Sequence, residues 1–232
     1  MDGVLYDSMP SHVRSWRETT ASLGIESDEE DFYLYEGRTG ASTIDILFNR
    51  TLGRNATPEE IEKIYAQKTK RFVELESPKS KPMPGAMEVL EKIKSLGLKR
   101  VIVTGSGQHS LIDRLQKDFP GFFEKDLMVT AYDVKFGKPH PEPYLMGLVK
   151  AGVRADEALV VENAPLGVKS AKEAGITTIA VNTGPLSDRI LADAGANRIF
   201  PDMKTLANFF HTLPESAQIQ PEYFHRFHCP AN

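Results

Sequence analysis

The sequence has little cysteine, no long apolar run and no leader segment. Its single cysteine, Cys229, cannot form a disulfide within the chain, which suits a reducing compartment. No stretch is long and apolar enough to span a membrane, and no charged-then-apolar segment opens the chain. We therefore expect a cytoplasmic protein with no membrane partner.

An excess of positive charge is also missing. The net charge of −4 gives no support for nucleic-acid binding, which requires a basic stripe or patch. Hydrophobic residues make up 41% of the 232 residues and charged residues 26%, as in an ordinary globular protein. This length allows one domain, or a core with an insertion, around a large buried interior. We expect a monomer that has no nucleic-acid partner.

Strand patterns are absent between residues 12 and 83, where apolar residues recur at helical spacing. A threonine, a proline and a glutamate stand where a capping box requires them, at Thr57, Pro58 and Glu60. A stretch rich in proline, serine and lysine then closes the segment as a linker. The sequence therefore predicts an all-helical module over residues 14–80.

After Pro84, short apolar runs rich in β-branched residues alternate with helical segments. This alternation predicts a doubly wound (Rossmann-like) α/β core, in which helices cover both faces of a parallel sheet. The core is expected over 1–13 and 81–211. Residues 212–232 form a tail whose histidines could suggest a metal clip, although a poorly ordered terminus is the commoner case. Strands are predicted at 101–103, 127–130, 158–161, 177–181 and 198–200.

Polar residues stand at the points where strands of such a sheet end and ligands bind. Each has an ordinary explanation when taken alone: Thr104 caps a helix, Lys138 is a solvated cation, and Asp2 belongs to a turn. Chance explains one such residue far more easily than it explains all of them in this order, each beside an apolar run. The residues are Asp2 to Asp7, Thr104-Gly105-Ser106, Lys138 and Glu162-Asn163.

This combination resembles the motifs of the haloacid dehalogenase superfamily of phosphohydrolases, and most closely its β-phosphoglucomutase-like branch. Asp2-Gly3-Val4 matches the first motif, Asp-x-Asp-Gly-Val, from its second aspartate onward. The segment Gly-Lys-Pro-x-Pro-Glu-Pro-Tyr at 137–144 is similar to the third motif. Glu162-Asn163-Ala164 is similar to the fourth, which usually reads Glu-Asp-Ala. The resemblance extends from Met1 to about residue 211.

The resemblance implies phosphoryl transfer through an aspartyl-phosphate, which divides one hydrolysis into two steps. Asp2 would be the general acid and base. Thr104, with the backbone N–H groups of Gly105 and Ser106, would hold phosphate oxygens. Lys138 would neutralise the charge of the phosphate and of the nucleophile.

The resemblance also implies a Mg²⁺ cofactor, an ion that prefers hard oxygen ligands. Its ligands would be the nucleophile, Asp2 through its backbone carbonyl, and a side chain of the fourth motif. Asn163 stands where the family usually has an aspartate, so the site loses one negative charge. We expect weaker metal affinity or a direct role for Glu162.

The helical module resembles the family's cap, which closes over the site and selects the substrate. Its specificity candidates are His12, Glu36, Arg38 and Thr39. His12 matches a cap-hinge histidine that assists acid/base work in β-phosphoglucomutases; the alternative is a solvated histidine at a helix start. Arg38 suits a second phosphate or a phosphosugar. Glu36 suits a metal–diphosphate pair, as in the few similar members that are pyrophosphatases.

By this resemblance the nucleophile would lie one residue before Met1. The strand before the first motif would be the central one, flanked by the strands at 101–103 and 158–161. Without it we expect a split sheet with two unpaired inner edges, a poorly folded chain and no turnover, since a domain is held together by only ~5–15 kcal/mol. A start codon placed too late, or a truncation, accounts for the gap. Upstream codons that encode a stop, or no apolar run ending in Phe-Asp, would refute this.

Three functions stay open. The first is a Mg²⁺-dependent phosphohydrolase for pyrophosphate or a small phosphorylated metabolite. The second is a phosphosugar mutase, in which the phosphoenzyme returns its phosphate to the substrate. The third is a catalytically silent binding protein, because the sequence contains no nucleophile. The need for a central strand argues against the third.

Overall fold

The computed structural model describes residues 1–75, 81–106 and 109–212, with the backbone alone at 109–112. The predicted tail, with its histidines and Cys229, lies outside these residues, as does most of the linker. In the described part of the chain, no helix is both long enough and apolar enough to cross a membrane.

Four helices form the N-terminal part of the chain, and the described residues between Met9 and Leu75 contain no strand. The prediction of a helical segment is therefore confirmed. Their apolar faces share one cluster, which includes Met9 and Val13, so the predicted boundary after residue 13 falls inside the first helix. The helices are α1 (Met9–Ala21), α2 (Glu29–Leu34), α3 (Gly40–Leu52) and α4 (Pro58–Leu75).

The predicted capping box starts α4. The Thr57 hydroxyl accepts a hydrogen bond from the N–H of Glu60 at 3.2 Å, and the Glu60 carboxylate accepts one from the N–H of Thr57 at 2.7 Å. Two N–H groups that have no partner within the helix are thereby satisfied. The local sequence is enough to set this helix start.

The rest of the described chain alternates strands with helices, and every strand pair is parallel. The predicted α/β class is confirmed. The strands are β1 (Ile102–Val103), β2 (Met128–Val129), β3 (Leu159–Glu162), β4 (Thr177–Val181) and β5 (Arg198–Phe200). The helices are α5 (Ala86–Ser95), α6 (His109–Asp118), α7 (Glu142–Ala151), α8 (Pro165–Glu173), α9 (Asp188–Ala194) and α10 (Met203–Thr212).

Helices cover both faces of the strands. Ile179 and Val181 of β4 pack in a cluster with residues of α5, α6 and α10, whereas Ala180 between them packs with α8 and α9. Successive side chains of a strand point to opposite faces, so this alternation places one helical layer on each side. The sheet is buried on both faces, as a near-continuous apolar strand such as β4 requires.

The parallel strands form two separate sheets, β1–β2 and β3–β4–β5. Both β1 and β3 border an apolar cavity of about 490 Å³. Protein interiors contain few voids larger than a water molecule, so a cavity of this size within the core is exceptional. The split sheet agrees with the expected pair of unpaired inner edges.

The first six residues fold as a tight turn. The carbonyl of Met1 accepts hydrogen bonds from the N–H groups of Leu5 at 2.7 Å and Tyr6 at 3.2 Å. Gly3 has φ +66, a conformation that glycine adopts without a steric penalty. Met1 lines a cavity together with Val103 and Glu162, so the turn lies at the carboxyl ends of β1 and β3.

Replacing Thr57 with alanine should destabilise the protein by about 1 kcal/mol, because the N–H of Glu60 loses its acceptor. The midpoint of urea unfolding measures this change. Thr51→Ala, at an exposed threonine near the end of α3, should shift the midpoint by less than half as much. Equal shifts for the two variants would contradict the capping role of Thr57.

Candidate active site

A cavity of about 100 Å³ lies at the carboxyl ends of β1 and β3, between these ends and helices α1 to α4. This is the place where sheets of this kind bind ligands. All of the predicted site residues except Thr39 line it: Asp2, His12, Glu36, Arg38, Thr104, Gly105, Ser106, Lys138, Glu162 and Asn163.

Thr39 does not line this cavity but lies beside it, next to Arg38. Its hydroxyl accepts a hydrogen bond from the N–H of Ser42 at 3.2 Å and caps α3. A Cβ added at Gly137 would lie only 2.9 Å from the Thr39 methyl group. Thr39 therefore contributes to the junction between the helical part and the core, and its substrate-binding role stays a prediction.

The turn between α2 and α3 is pressed against two loops of the core. A Cβ added at Gly105 would lie 2.5 Å from the carbonyl oxygen of Gly37. A Cβ added at Gly37 would lie 3.0 Å from the Lys138 side chain. The approach at Gly105 needs glycine, since real Cβ atoms are not found that close to backbone, and Gly37 has φ +92, a conformation that glycine adopts without a steric penalty. These two approaches hold Glu36 and Arg38 over the strand ends.

Asp2 lies in a polar corner of the cavity. Its carboxylate accepts hydrogen bonds from the Ser8 hydroxyl at 2.6 Å and approaches His12 Nε2 at 3.3 Å. Burial acts to raise the pKa of Asp2, but the charge and hydrogen bond of His12 outweigh it and hold this pKa well below the usual range. Asp2 is therefore an ionised base in this arrangement, and a bound anion would raise its pKa toward that of an acid.

His12 connects Asp2 to a lysine of α4. Lys68 Nζ lies 2.8 Å from His12 Nδ1, and the His12 ring stacks on Phe72 with centroids 4.1 Å apart. With Lys68 charged, Nδ1 is the acceptor, because an ammonium only donates, and a neutral His12 ring turns its Nε2 proton toward Asp2. With Lys68 neutral, the His12 ring can carry the charge that lowers the pKa of Asp2. The solvated position considered for His12 is not the one observed.

Lys68 is a site residue that the sequence did not reveal, although the helical pattern places it on the apolar side of α4. Only 3% of its surface is exposed. Burial lowers its pKa to about 7, opposed by the charge of Asp2. Its Nζ also lies 4.9 Å from the Phe72 ring centre and 5.4 Å from that of Trp16. The sequence signal that could have revealed Lys68 is a lysine among the apolar residues on one side of a predicted helix.

Lys138 and Glu162 form a buried ion pair. The Lys138 ammonium donates to Glu162 Oε1 and, at 3.2 Å, to the carbonyl of Val103. Tyr144, a second residue that the sequence did not reveal, donates its hydroxyl to the same Glu162 oxygen. Burial would raise the pKa of Glu162, but the charge of Lys138 lowers it below the usual value. The pair is a carboxylate and an ammonium.

Glu36 and Asn163 join the helical part to the core. The Asn163 amide donates to both Glu36 oxygens, at 2.9 and 3.0 Å. Gly3 leaves room for this amide, since a Cβ there would lie 1.9 Å from its nitrogen. Burial raises the pKa of Glu36 to about 8, with further contributions from the charges of Glu162 and Asp2.

Some of the groups predicted to bind phosphate already have hydrogen-bond partners within the protein. The Thr104 hydroxyl accepts a hydrogen bond from the N–H of Ser106 at 3.1 Å, so this N–H already has a partner. Arg38 donates to the Ser42 hydroxyl at 3.2 Å, while its buried Nε has no acceptor among the described residues. A guanidinium with an unused donor beside the cavity favours an anion.

The oxygens around the cavity suit Mg²⁺ in chemical type. Asp2, Glu36, Glu162 and the amide of Asn163 are hard oxygen donors that line one space. No group of three histidine, cysteine or acidic side chains is gathered as a metal site in the described part of the chain. The reason is that Glu162 is turned to Lys138 and Glu36 to Asn163. The metal role of Glu162 stays a prediction.

Comparison with known proteins identifies the family. The sequence profile of the "Haloacid dehalogenase-like hydrolase" family matches residues 1–181. The chain belongs to this family. Asp2, Thr104, Lys138 and the Glu162-Asn163 pair all lie within the matched residues and line one cavity.

Relatives of this hydrolase include phosphatases. A phosphorylated carbohydrates phosphatase from Thermotoga maritima is 32% identical over 198 residues, which cover 84% of this chain and 89% of that protein. Hexitol phosphatase A from Escherichia coli is 31% identical, with 78% of this chain and 80% of that protein covered. A solved structure from Bacteroides vulgatus, "Putative beta-phosphoglucomutase", has 51% identity and a TM-score of 0.88, with 98% of this chain and 88% of that chain covered.

Replacing Lys68 with methionine should change how stability depends on pH. Between the pKa of about 7 in the folded state and the ordinary value of 10.5, the unfolded chain binds more protons at Lys68 than the folded chain does. The stability of the parent should therefore rise with pH in this window, and that rise should be absent in Lys68→Met.

Urea unfolding at pH 6.5 and 9.5 measures the difference. The free energy of unfolding of Lys68→Met minus that of the parent should fall by roughly 3 kcal/mol from pH 6.5 to pH 9.5. Lys70→Met, at an exposed lysine of the same helix, should follow the parent at both. If Lys68→Met and Lys70→Met respond alike to pH, Lys68 is not a buried group with a lowered pKa.

Proposed function

We propose that this protein is a Mg²⁺-dependent phosphohydrolase whose preferred substrate is inorganic pyrophosphate or a phosphorylated metabolite of similar size. The observation that carries the proposal is the cavity at the strand ends, which is lined by acidic, basic and cationic groups: Asp2, Glu36 and Glu162 with His12, Arg38, Lys68 and Lys138. Phosphoryl transfer depends chiefly on positioning and charge neutralisation, and these groups supply both.

Asp2 is the proton carrier of the proposed reaction. It protonates the leaving oxygen in the first half-reaction and removes a proton from water in the second. His12 is held by Lys68 and donates a hydrogen bond to Asp2. Because the pKa of Lys68 is about 7, a proton can move between Lys68 and His12 near neutral pH, which changes the charge beside Asp2. Lys138 compensates the charge of the transferred phosphoryl group, and Thr104 positions its oxygens.

Asp2, Asn163 and one of the two glutamates, Glu36 or Glu162, would hold Mg²⁺. When bound, the ion would supply charge neutralisation for the phosphoryl oxygens. Glu36 and Asp2 each raise the energetic cost of ionising the other, because both are buried and acidic. A divalent cation relieves this repulsion, which supports the magnesium assignment.

The cations of the cavity support pyrophosphate over a phosphomonoester. Arg38 and Lys68 line the cavity together with Lys138, so positive groups are present for a second phosphoryl group.

The proposed nucleophile is an aspartate one position before Met1, and the reaction depends on it. Its carboxylate forms the aspartyl-phosphate, with loss of the leaving group, and water then releases the phosphate. Residues 1–232 alone are expected to give no turnover. Turnover of pyrophosphate by residues 1–232 would show that Asp2 is not the acid/base residue.

A second candidate is a phosphosugar hydrolase or mutase. The aromatic residues Trp16, Phe32, Tyr35 and Tyr65 on the wall of the cavity suit the apolar face of a sugar ring. Two relatives are named as phosphatases of phosphorylated carbohydrates and of hexitol, and these names favour the same substrates.

A substrate panel tests the proposal on the protein extended by an apolar strand that ends in aspartate. Phosphate release from pyrophosphate in the presence of Mg²⁺ should exceed release from hexose and hexitol phosphates by at least about tenfold in kcat/KM, or roughly 1.4 kcal/mol. Glucose 6-phosphate formed from β-glucose 1-phosphate would instead identify a mutase.

A matched variant sharpens this test. Glu36→Gln should lower pyrophosphate hydrolysis more than hydrolysis of a phosphosugar, because pyrophosphate brings a second phosphoryl group whose negative charge a cation held by Glu36 would offset. Glu26→Gln, an exposed change in the same helical part, should leave both rates unaltered. A preference for phosphosugars in the parent would refute the pyrophosphate assignment, but the protein would still be a phosphatase.

Replacing Asn163 with aspartate should tighten Mg²⁺ binding by about tenfold, because the site gains a carboxylate. Calorimetric titration of the protein with Mg²⁺ measures this affinity. Asn49→Asp adds the same charge on the exposed side of α3 and should leave the affinity unchanged. If Asn163→Asp binds Mg²⁺ no more tightly than the parent, Asn163 does not contact the metal.

A further inference from the structure

Two lysines line the active-site cavity, and their surroundings differ. The side chain of Lys138 donates to the carboxylate of Glu162, which keeps it an ammonium. Lys68 has no carboxylate partner in the described part of the chain, and its Nζ instead lies 2.8 Å from Nδ1 of His12. The cavity therefore contains one amine that no paired carboxylate keeps charged.

Lys68 is surrounded by aromatic rings. Its spacing from Ile64 and Phe72, one helical turn away on each side, places it in the buried stripe of α4. Its Nζ lies 4.9 Å from the ring centre of Phe72 and 5.4 Å from that of Trp16. An amine that is removed from water in this way holds its proton less tightly, and burial lowers the pKa of Lys68 to about 7.

The position of Lys68 gives it a large fraction of neutral amine. At pH 7.5, about three quarters of a group with a pKa of about 7 is unprotonated, against roughly one part in a thousand for an ordinary lysine. Only the unprotonated amine has the lone pair that attacks an electrophilic carbon. Burial and the aromatic surroundings thus give Lys68 the properties of a nucleophile.

The amine lies close to the end of the cavity where phosphate is expected to bind. His12 Nε2 lies 3.3 Å from the Asp2 carboxylate, and His12 Nδ1 lies 2.8 Å from Lys68 Nζ. One imidazole ring with a contact at each nitrogen therefore separates the amine from Asp2. Thr104 and Lys138 line the same space. One small molecule can place a phosphate beside Lys138 and an electrophilic carbon beside Lys68.

We propose that Lys68 is a nucleophilic amine and that the cavity binds small phosphorylated aldehydes covalently, as an imine on Lys68 Nζ. The lone pair of the amine attacks the carbonyl carbon, and the carbonyl oxygen becomes a hydroxyl. The nitrogen gives up both of its protons, and the oxygen leaves with them as water when the C=N bond forms. His12 is in contact with Nζ and can accept and return the transferred proton.

This reaction shares the phosphate-binding end of the cavity with the proposed hydrolysis, but not its chemistry. It leaves the phosphate ester intact and uses neither Mg²⁺ nor an aspartate before Met1. Pyrophosphate has no carbonyl carbon and cannot form the imine. Imine formation can therefore be measured on residues 1–232, independently of any turnover.

Glycolaldehyde phosphate with sodium cyanoborohydride tests the proposal. The reductant converts an imine to a stable secondary amine, and mass mapping of the peptides then identifies the labelled lysine. At pH 7.5, Lys68 of residues 1–232 should be labelled at least about tenfold faster than the exposed Lys70. In concentrated urea, where burial is lost, the two lysines should be labelled at similar rates. If Lys68 is labelled no faster than Lys70 in the absence of urea, the proposal is wrong.

Glycolaldehyde without the phosphate is the matched probe. It should label Lys68 at least about fivefold more slowly than glycolaldehyde phosphate, because it lacks the anion that the cations of the cavity bind. Inorganic pyrophosphate should protect Lys68 from glycolaldehyde phosphate and leave the labelling of Lys70 unchanged. Equal labelling of Lys68 by the two aldehydes would show that the cavity does not select phosphorylated ones, and would overturn the proposal.

A variant assigns the reaction to one amine. Lys68→Arg keeps a cation beside His12 but removes the nucleophile, so the cavity should gain no label. Lys70→Met should be labelled at Lys68 as the parent is. Labelling of Lys138 in Lys68→Arg at the parent's rate would overturn the assignment to Lys68. Circular dichroism checks the fold of the variant, and the peptide map of the parent decides the question even where Lys68→Arg does not fold.

The labelling and the substrate panel fail separately. Selective labelling of Lys68, without phosphate release from pyrophosphate by the extended protein, would support the imine and contradict the proposed function. Pyrophosphate hydrolysis without selective labelling would contradict the imine alone.

Discussion

The buried ion pair between Lys138 and Glu162 is the contact on which the active-site end of the structure depends. Lys138 also reaches the carbonyl of Val103 at the end of β1, while Glu162 ends β3. One side chain thus connects the carboxyl ends of strands from two separate sheets. Removing either charge would leave the other buried and unpaired, at a cost of roughly 3–5 kcal/mol. Tyr144 and Gly167 reinforce the arrangement: one donates to the carboxylate, and the other leaves room for it.

Charged groups of both signs surround this pair. Acidic groups gather on the side of Asp2 and Glu36, and cations are supplied by Arg38, Lys68 and Lys138. The pKa of Glu36 is raised to about 8 and that of Lys68 is lowered to about 7, both chiefly because of burial. Such shifts disfavour the charged forms in the empty cavity, and a bound ion of opposite sign would restore them. The same physical cause, burial by the helical part, produces both.

Features that depend on neighbouring residues were predictable. The capping box at Thr57, the parallel strands and the helical segment follow from local periodicity and turn chemistry, and each is confirmed. The site residues of the core were predictable because the carboxyl ends of parallel strands converge. The substrate-binding role of Thr39 stays a prediction: a threonine before a helix serves equally as a cap or as a substrate contact, and the structure shows the cap. Lys68 was missed, since its spacing alone makes it one more residue of an apolar stripe.

The sequence by itself determined the family, the alternation of strands and helices, and the set of polar residues at the strand ends. These depend on short-range patterns, which act through the helical and strand periods. Only the tertiary structure decided that Asn163 bonds to Glu36, 127 residues away, and that Lys68 holds His12 against Asp2. It also decided that a cavity of about 490 Å³ separates β1 from β3. Burial and pKa shifts arise from packing between distant segments, and no local pattern records them.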